Sequence, residues 1–318
     1  MKPDHILLLG GTGFLGRSVA EKLVQRARGG GRIVVPTRRA ARDQHIRMLP
    51  TIEIVQADVH DDRELAALMA GSHAVVNLVG ILHGSETQFE QAHVELPRRI
   101  ARACAHAGVR RVVHVSALGA AADAPSRYQR SKARGEAVWR ESGLDVTLLR
   151  PSTMFGAHDN FLNLFARLLP WLPVMPLACA DARFQPVWVD DVADAIVQCL
   201  DDRSTIGETI ECTGPEVFTL RELVRCAGRW SGHPRPVLPL PGALGRLQAL
   251  TMEWMPGTPL LSRDNLDAMQ TPNVASGTLP DLARLGIRPM PIETVMAPVL
   301  GRRAPEARFD IWRASARR

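Results

Sequence analysis

Apolar positions in the first half of the chain alternate between short continuous runs and stretches with helical spacing. Ile6–Leu9 is such a run and predicts a short buried strand. Leu15, Val19 and Leu23 follow at four-residue spacing, which places them on one face of a helix. The pattern recurs and predicts further strands at Arg32–Thr37, Ile52–Val59, Ala74–Val79, Arg111–Ser116 and Asp145–Arg150, with helices at 61–70, 88–106 and 126–142.

Strands that alternate with helices in this way predict an α/β fold built on one parallel sheet. Parallel neighbours need crossover connections, and these place helices on both faces of the sheet. We therefore expect a doubly wound Rossmann sheet over residues 1–155. After Arg150 the alternation fades and prolines become frequent, which predicts a smaller mixed α/β, substrate-side region over 156–300. Residues 186–200 are expected to return to the sheet, and 301–318 form a basic C-terminal tail.

The composition is that of an ordinary globular protein. Of the 318 residues, 46% are hydrophobic and 23% are charged. The five cysteines never form a Cys-x-x-Cys pair, which argues against a disulfide framework or a zinc site and favours a reducing compartment. His83, His93, His106 and His114 show no metal-ligand spacing, so we interpret them as core or surface residues and expect no metal.

The net charge and the apolar stretches indicate whether the protein binds nucleic acid and whether it enters a membrane. The net charge of +6 comes mostly from scattered arginines without interleaved aromatic residues, so a solvated surface is favoured over nucleic-acid binding. No segment is long and apolar enough to predict a membrane span or a secretory signal, so we expect a cytoplasmic protein. Peripheral attachment to the inner face of the membrane stays open, because the tail mixes arginines with Phe309, Ile311 and Trp312. A mobile tail is the alternative.

A glycine-rich segment joins the first predicted strand to the first predicted helix, and it consists of Gly10, Gly11, Thr12, Gly13, Phe14, Leu15 and Gly16. Glycine permits a tight turn, close approach of the backbone to a diphosphate, and close packing of the helix on the strand. The helix N-terminus adds N–H donors and the positive end of a dipole. The run fits both G-x-G-x-x-G and G-x-x-G-x-x-G, and spacing does not choose between them. In this strand–turn–helix context we interpret it as a dinucleotide site rather than a turn without a ligand.

The end of the second predicted strand bears on which dinucleotide is bound. Sites for NAD(H) usually place an Asp or Glu there to accept hydrogen bonds from the ribose hydroxyls. This chain has Arg38 and Arg39 instead, and a guanidinium suits a 2′-phosphate. We therefore predict NADP(H) rather than NAD(H), the alternative being that both arginines are surface charges.

The chain contains one tyrosine, Tyr128, and Lys132 follows it four residues later on a predicted helix. This spacing puts both side chains on one helical face, where they can share a ligand. A phenol is a poor base at neutral pH, but a nearby ammonium favours its phenolate. Such a pair could move a hydroxyl proton while hydride moves on the cofactor. The alternative is an exposed pair without function.

Taken together, these motifs resemble the extended or atypical short-chain dehydrogenase/reductases, and the resemblance runs through most of the chain. It implies that Tyr128 is the acid/base and that Lys132 also binds the nicotinamide ribose. It further implies cofactor contacts at the glycine turn, Asp58, Val59, Leu78, Val79, Gly80 and Pro151. Residues 115–120, 128–136 and 285–289 are most similar to the branch that contains the dehydrogenase-like accessory subunit of respiratory complex I and its bacterial relatives.

Ser116 is a departure from the family pattern. Catalytic members carry a Ser or Thr that polarises the substrate carbonyl, often late in a serine cluster, whereas Ala117 and Leu118 follow Ser116 here. Two functions therefore stay open. One is an NADP(H)-dependent oxidoreductase or epimerase that uses Tyr128, Lys132 and Ser116; the other is a non-catalytic NADPH-holding protein linked to a respiratory complex or quinone at the membrane. Residues 161–177 would line a lipophilic substrate cleft or form a packed core segment.

Overall fold

The computed structural model describes residues 5–39, 44–254 and 261–301. The described chain divides into two compact units. The first contains the described residues up to Pro151, together with Val189–Cys212 and Ala275–Arg288; the second contains Ser152–Trp188, Thr213–Val274 and the described residues from Pro289 on. Residues 302–318 of the predicted tail lie outside the described residues.

Helices and strands alternate along the first half of the chain, as the apolar pattern predicts. The strands are β1 His5–Leu9, β2 Arg32–Thr37, β3 Ile52–Gln56, β4 Ala74–Asn77, β5 Arg111–Val115, β6 Asp145–Pro151, β7 Met154–Phe155, β8 Met175–Ala178, β9 Arg183–Phe184, β10 Val187–Trp188, β11 Thr209–Cys212, β12 Phe218–Thr219 and β13 Val237–Leu240. The helices are α1 Phe14–Ala27, α2 Gln44–Arg47, α3 Asp62–Met69, α4 Glu86–Glu90, α5 Leu96–Ala107, α6 Arg127–Glu141, α7 Leu162–Leu168, α8 Val189–Asp201, α9 Leu220–Trp230, α10 Gly242–Glu253, α11 Arg263–Ala268 and α12 Ile292–Gly301. A π-helical turn, Gln91–Glu95, joins α4 to α5.

The first unit is built on a seven-stranded sheet with the order β11-β6-β5-β4-β1-β2-β3. All of its strand pairs are parallel, so the predicted doubly wound Rossmann sheet is confirmed. β1 pairs with β2 on one side and β4 on the other, and Leu9 lies opposite Asn77. The strand order reverses between β1 and β4, and ligands of doubly wound sheets bind outside the carboxyl ends of the strands at such a point.

Continuous apolar runs form the middle of this sheet because helices cover both of its faces. Leu7 and Leu9 of β1 are fully buried, and they belong to a core that includes Leu65 of α3, Ile100 of α5 and Trp139 of α6. At the sheet edge, β3 is only partly buried. The central strands thus hold the turns at their carboxyl ends on a rigid base.

The structural units differ from the predicted ranges in two ways. Residues 152–155 and 186–188, predicted to belong to the sheet domain, lie in the second unit. Residues 201–212 and 275–288, predicted for the second region, lie in the first unit. The reason is sheet pairing: β11 extends the sheet beside β6, with Ile210 opposite Leu149. Ser276 then donates from its backbone N–H to Glu211 Oε2 at 2.7 Å, which ties the later segment to β11.

The second unit is a mixed α/β structure, as expected, made of short strand pairs and helices. β7 pairs with β10 and β8 with β13, both in parallel, while β9 and β12 are antiparallel. Its core contains Phe165 of α7, Leu223 of α9 and Met296 of α12. Most apolar side chains of 161–177 point into this core, which favours the packed-segment interpretation, although Trp171 is 85% exposed.

Candidate functional site

Two glycines of the turn after β1, Gly10 and Gly16, occupy positions that a larger residue would strain. Gly10 has φ +80°, and a Cβ there would lie 3.2 Å from the backbone of both Leu78 and Val79. A Cβ on Gly16 would lie 2.4 Å from the carbonyl oxygen of Gly10. These glycines therefore bring α1, the turn and the loop after β4 into direct backbone contact.

Other residues of the turn divide between the core and the outer surface. Gly11 is buried, and a Cβ there would lie 2.8 Å from Val35 Cγ1. Leu15 points into the core, while Thr12 and Phe14 are half-buried. Gly13 is exposed, and the nearest atom to a Cβ there is the Gly10 carbonyl oxygen at 3.3 Å. The outer surface of the turn at Gly13 is thus open to a ligand.

The N-terminus of α1 begins at this open surface. Gly13 is the N-cap residue and provides no side-chain acceptor, and the first turn of the helix carries no acidic residue. The first N–H groups of a helix lack intrahelical acceptors and carry the positive end of its dipole. The arrangement is suited to binding an anion such as a diphosphate.

Arg38, Arg39 and Asp58 lie at the ends of the two strands beyond β1. Both arginines follow β2 and are exposed. Asp58 follows β3 and is also exposed, and its Oδ1 accepts a hydrogen bond from the backbone N–H of His60 at 3.0 Å. Val59 is half-buried against the core of the first unit. Two guanidinium groups are therefore available to an anionic ligand at this edge, and the Asp58 carboxylate is partly engaged by its own turn.

Asn77 organises the loop after β4. Its Oδ1 accepts the backbone N–H of Val79 at 3.1 Å, and its Nδ2 lies 3.1 Å from Nδ1 of His114. The side-chain amide therefore donates to the His114 ring nitrogen. The backbone N–H of Leu78 donates to the carbonyl oxygen of Leu9 at 3.0 Å. These bonds end the predicted strand at Asn77 and hold the loop beside the glycine turn.

Lys132 lies on α6 and reaches the same loop from the other side. Its side chain is buried, and Nζ donates to the carbonyl oxygen of Val115 at 3.2 Å. A Cβ on Gly80 would lie 3.1 Å from this Nζ, so the ammonium closely approaches the backbone of the β4 loop. Burial lowers the pKa of Lys132 to about 8, with Glu136 acting in the opposite direction.

Tyr128 lies in the first turn of α6, which Ser126 caps by accepting the backbone N–H of Gln129 at 3.1 Å. Its ring makes edge contacts with Phe89 and His93, with centroid distances of 6.1 and 5.5 Å. Burial raises the pKa of the phenol, and no lowering by Lys132 accompanies it. Lys132 Nζ is hydrogen-bonded to the Val115 carbonyl oxygen, and the action of its ammonium on Tyr128 stays a prediction.

Ser116 lies below the surface, at the end of β5. It is 3% exposed, and its Oγ forms no hydrogen bond of ordinary geometry with any described residue. It lies near enough to Glu136 to help lower the pKa of that carboxyl. Ala117 and Leu118 are buried too. Ser116 therefore carries the one hydroxyl of residues 116–118, and this hydroxyl is buried; its role toward a substrate carbonyl stays a prediction.

The described residues bring together only part of the predicted set. Gly10 touches the Leu78–Val79 backbone, and Gly80 touches Lys132, so the glycine turn, the β4 loop and α6 form one continuous group. Pro151 ends β6, and its carbonyl oxygen accepts the backbone N–H of Leu118 at 2.9 Å.

Two buried residues of this region, His93 and Glu136, are not singled out by the sequence, whereas Asn77 begins the stretch that resembles the family's cofactor-lining segment. All three are hydrogen-bonded around the β4 loop and α6. Their partners lie up to 38 residues away along the chain, so spacing could not indicate the pairs. Among the residues described, no group of three or more His, Cys, Asp or Glu side chains is arranged to hold a metal ion, and no helix has the length and apolarity to cross a bilayer.

Comparisons with known proteins agree with the Rossmann fold of the first unit. A family model described as NAD dependent epimerase/dehydratase family matches residues 6–212. The mouse protein NADH dehydrogenase (ubiquinone) 1 alpha subcomplex subunit 9, mitochondrial, is 33% identical over 308 residues, covering 93% of this chain and 79% of that protein. A ceramide reductase of Caulobacter vibrioides is 29% identical over 245 residues, covering 75% of each protein. The crystal structure of the Escherichia coli NADPH-dependent quinone oxidoreductase QOR2 with NADPH has a TM-score of 0.73 at 22% identity, covering 93% of this chain and 98% of that one.

Proposed function

This chain belongs to the NAD dependent epimerase/dehydratase family, and from that premise we propose that its first unit binds a nicotinamide dinucleotide, with NADP(H) preferred over NAD(H). The observation that supports binding most directly is the open N-terminus of α1 at Gly13, which has no capping side chain and no acidic residue in its first turn. The diphosphate would lie against this helix end, and Lys132 would approach the nicotinamide ribose. A bound nicotinamide would supply hydride chemistry.

The preference for NADP(H) is supported by Arg38 and Arg39. Both are exposed after β2, where sites for NAD(H) usually have an acidic residue. A guanidinium can donate two parallel hydrogen bonds to a 2′-phosphate, and it has no acceptor to offer a ribose diol.

Calorimetric titration of the purified full chain with NADPH and with NADH tests this proposal. We expect both to bind and NADPH to bind more tightly. A folded protein that binds neither nucleotide would remove the proposed function altogether. Equal affinities would remove only the preference for NADP(H).

We propose further that the protein holds its nucleotide without turning it over. Ser116 is buried near Glu136, and the two positions after it are apolar and buried. The one hydroxyl of residues 116–118 is thus enclosed, and we infer that it does not reach a substrate carbonyl. Burial also raises the pKa of Tyr128, which opposes its use as a base. The mouse relative carries the name of a subunit of a respiratory enzyme. A structural or assembly role at such a complex, or one linked to quinone, would be consistent with a retained nucleotide.

A protein that holds NADPH without turnover should be stabilised by NADPH and should not oxidise it. NADPH should raise the melting temperature of the protein, because a ligand that binds only the native state stabilises it. The absorbance of NADPH at saturating protein should stay constant over a panel of ketones, quinones, ceramide-type lipids and nucleotide sugars. Sustained oxidation of NADPH by any of these would overturn the holding role.

The second candidate is a carbonyl or hydroxyl oxidoreductase or epimerase. It is supported by Tyr128 and Lys132, four residues apart on α6, and by a relative named ceramide reductase. In the reductive direction, Tyr128 would deliver its hydroxyl proton to the substrate oxygen while hydride reaches the carbon. Tyr128→Phe should then keep nucleotide affinity and abolish turnover. Turnover that survives in Tyr128→Phe would exclude this chemistry.

A peripheral contact with a membrane is supported by the second unit rather than by the tail, which the structure does not describe. On α10, Leu244 and Leu247 are 52% and 56% exposed, and Trp254 after it is 82% exposed. These positions share one side of the helix, while Gly245 and Ala249 are buried. Tryptophan and leucine on an exposed helix face are typical of helices that lie in a membrane interface.

Positive charge accompanies exposed apolar residues elsewhere in the second unit. Arg225, Arg229 and Arg235 line one surface cleft. Arg235 Nε donates to the carbonyl oxygen of Leu169 at 3.3 Å, next to the turn that carries exposed Trp171. Guanidinium groups beside an exposed indole suit a surface of anionic phospholipid. We therefore propose that any membrane contact is made through the second unit.

A further inference from the structure

His93 occupies an unusual place in the first unit. It lies in the π-helical turn Gln91–Glu95, and its side chain is 2% exposed. The ring lies between the loop after β4 and the helix α6. Single π-helical turns occur frequently at functional sites, because the extra residue in the turn reorients side chains.

Both ring nitrogens of His93 are engaged by these two elements. The backbone N–H of Ile81 donates to Nε2 at 3.1 Å, so this nitrogen carries no proton. Nδ1 lies 2.8 Å from the hydroxyl of Ser131, and that hydroxyl donates its own hydrogen to the carbonyl oxygen of Tyr128 at 2.7 Å. Ser131 must therefore accept from Nδ1–H, which fixes the ring as the Nδ1–H tautomer.

The ring is also tightly enclosed. It stacks on Phe89 with centroids 5.6 Å apart and meets the edge of Tyr128 at 5.5 Å. A Cβ on Gly80 would lie 3.5 Å from Nε2, and a Cβ on Gly135 would lie 2.0 Å from the His93 carbonyl oxygen. Glycine at position 135 allows α6 to approach the π-helical turn this closely.

The same surroundings keep His93 neutral. Burial, and after it the charge of Lys132, lower the pKa of His93 to about 3. A ring that is neutral throughout the physiological range and hydrogen-bonded through both nitrogens has no proton to exchange with a substrate. Its contribution is therefore geometric.

We propose that His93 is a positioning residue that joins the Gly80–Ile81 loop to α6 and thereby fixes the nucleotide-binding loop relative to Tyr128 and Lys132. The inference rests on the proposed binding of a nicotinamide nucleotide. Its physical basis is the continuous chain of hydrogen bonds from Ile81 N–H through His93 and Ser131 to the Tyr128 carbonyl.

Three variants of the full chain test the role. His93→Phe keeps an aromatic ring but loses both hydrogen bonds, and we expect NADPH to bind about tenfold more weakly, as the loss of two net hydrogen bonds implies. His93→Gln can still accept from Ile81 and donate to Ser131, so it should bind within about threefold of the wild type. His106→Phe, on the exposed end of α5, is the matched control and should bind as the wild type does.

Calorimetry on the folded protein distinguishes a positioning role from a purely structural one. If His93 were purely structural, its substitution would lower the melting temperature and leave the NADPH affinity of the folded fraction unchanged. A double-mutant cycle adds a second test. Once His93 is Phe, Ser131→Ala should cause little further loss of affinity, because the two residues act in one chain. Additive losses, or His93→Phe with wild-type affinity, would overturn the inference.

Nitrogen-15 NMR of the wild-type histidines provides a readout that needs neither a variant nor a ligand. The proton of His93 should be on Nδ1, and the ring should stay neutral from pH 8 down to about pH 5. An Nε2–H ring would contradict the inference even if His93→Phe fails to fold. Should the wild type bind neither NADPH nor NADH, the proposed function fails while the NMR result still reports on the hydrogen-bonded chain.

Discussion

Glu136 and Arg150 form a buried two-point ion pair, in which Nε and Nη2 of Arg150 donate to Oε1 and Oε2 of Glu136 at 2.8 and 2.7 Å. Arg140 adds a third hydrogen bond at 2.7 Å. Glu136 is on α6 and Arg150 is on β6, so the pair ties the helix that carries Tyr128 and Lys132 to the sheet. Removing one partner of such a pair leaves an uncompensated buried charge, which strongly destabilises the folded state.

Removing the charge of Glu136 should destabilise the protein strongly. Glu136→Gln leaves Arg150 without its anion in a mostly buried place, so we expect a loss of about 3–5 kcal/mol in the free energy of unfolding. Glu90→Gln is the matched control, because Glu90 pairs with Arg134 at a partly exposed site and should cost about 1 kcal/mol or less. Urea unfolding at pH 7 measures both, and a loss for Glu136→Gln as small as that of the control would contradict the argument.

The same pair predicts a dependence of stability on pH. Burial alone would raise the pKa of Glu136, but the hydrogen bonds from Arg150 and Arg140 hold it below its ordinary value of 4.5. A carboxyl with a lowered folded-state pKa stabilises the protein above its unfolded pKa, and this stabilisation is lost as the pH falls through the folded value. The difference in stability between wild type and Glu136→Gln should therefore be constant from pH 7 to about pH 5 and shrink below that.

Substitutions of two glycines in the turn after β1 should have different effects, one on the stability of the fold and the other on NADPH binding. Gly16→Ala places a methyl group 2.4 Å from the Gly10 carbonyl oxygen, so we expect misfolding or a loss of about 3 kcal/mol or more. Gly13→Ala meets only one atom, at 3.3 Å, and should fold with a small loss of stability. It should nevertheless bind NADPH at least about tenfold more weakly, because the methyl occupies the surface that a diphosphate would approach.

Gly30→Ala is the control for these variants, since Gly30 is exposed in the connection from α1 to β2. It should change neither stability nor affinity appreciably. Thermal unfolding and calorimetry on the three variants give the two quantities separately. Tight NADPH binding by Gly13→Ala would place the diphosphate somewhere other than this turn.

Much of the first unit could be predicted because its strands are buried on both faces. A continuous run such as Ile6–Leu9 predicts a strand without knowledge of its neighbours, and the glycine turn after it is a local feature. The ends of the strands are predicted less accurately. β4 ends at Asn77 rather than Val79, because the Asn77 side chain accepts a hydrogen bond from the Val79 N–H. The spacing of apolar residues does not reveal hydrogen bonds of this kind.

The rest of the site depends on pairings between distant segments. The spacing of His93 predicts only a core or surface histidine, and its link from Ile81 to Ser131 could not be inferred from it. Helical periodicity over 88–106 does not reveal the π-helical turn. The spacing of Tyr128 and Lys132 predicts a pair, but it does not predict the hydrogen bond from Lys132 Nζ to the Val115 carbonyl oxygen, at the end of a strand seventeen residues earlier.

Arg38 and Arg39 should determine the choice between the two dinucleotides. Replacing both by Ala should weaken NADPH binding by about tenfold or more, because charge-assisted hydrogen bonds to a phosphate are lost, and should change NADH binding by less than about twofold. Arg102→Ala removes an exposed arginine from α5 instead, and it should leave both affinities unchanged. Equal losses for NADPH and NADH in the double variant would show that the arginines do not read the 2′-phosphate.

The exposed face of α10 should govern any attachment to lipid. We expect the full chain to co-sediment with phosphatidylglycerol vesicles more than with phosphatidylcholine vesicles, since its second unit combines exposed tryptophan with clustered arginine. Replacing both Leu244 and Leu247 by Ser should reduce the bound fraction several-fold. Val217→Ser, which alters another exposed apolar side chain of the same unit, should not. If only removal of residues 302–318 abolishes binding, the tail and not α10 makes the contact.

Lys132 should make the protein less stable at neutral pH than it would be with an apolar residue in its place. Burial lowers its pKa from 10.5 to about 8, so below pH 8 the folded protein carries the full penalty of a buried ammonium. Between pH 8 and 10.5 the unfolded chain binds more protons than the folded one, and this group's contribution to stability rises with pH. Lys132→Met should therefore be more stable than the wild type at pH 7, by about 1–3 kcal/mol, and this advantage should shrink between pH 8 and 10. NADPH affinity should fall in the same variant if Lys132 binds the ribose. Parallel curves for the two proteins from pH 7 to 10 would mean that Lys132 does not titrate in this range.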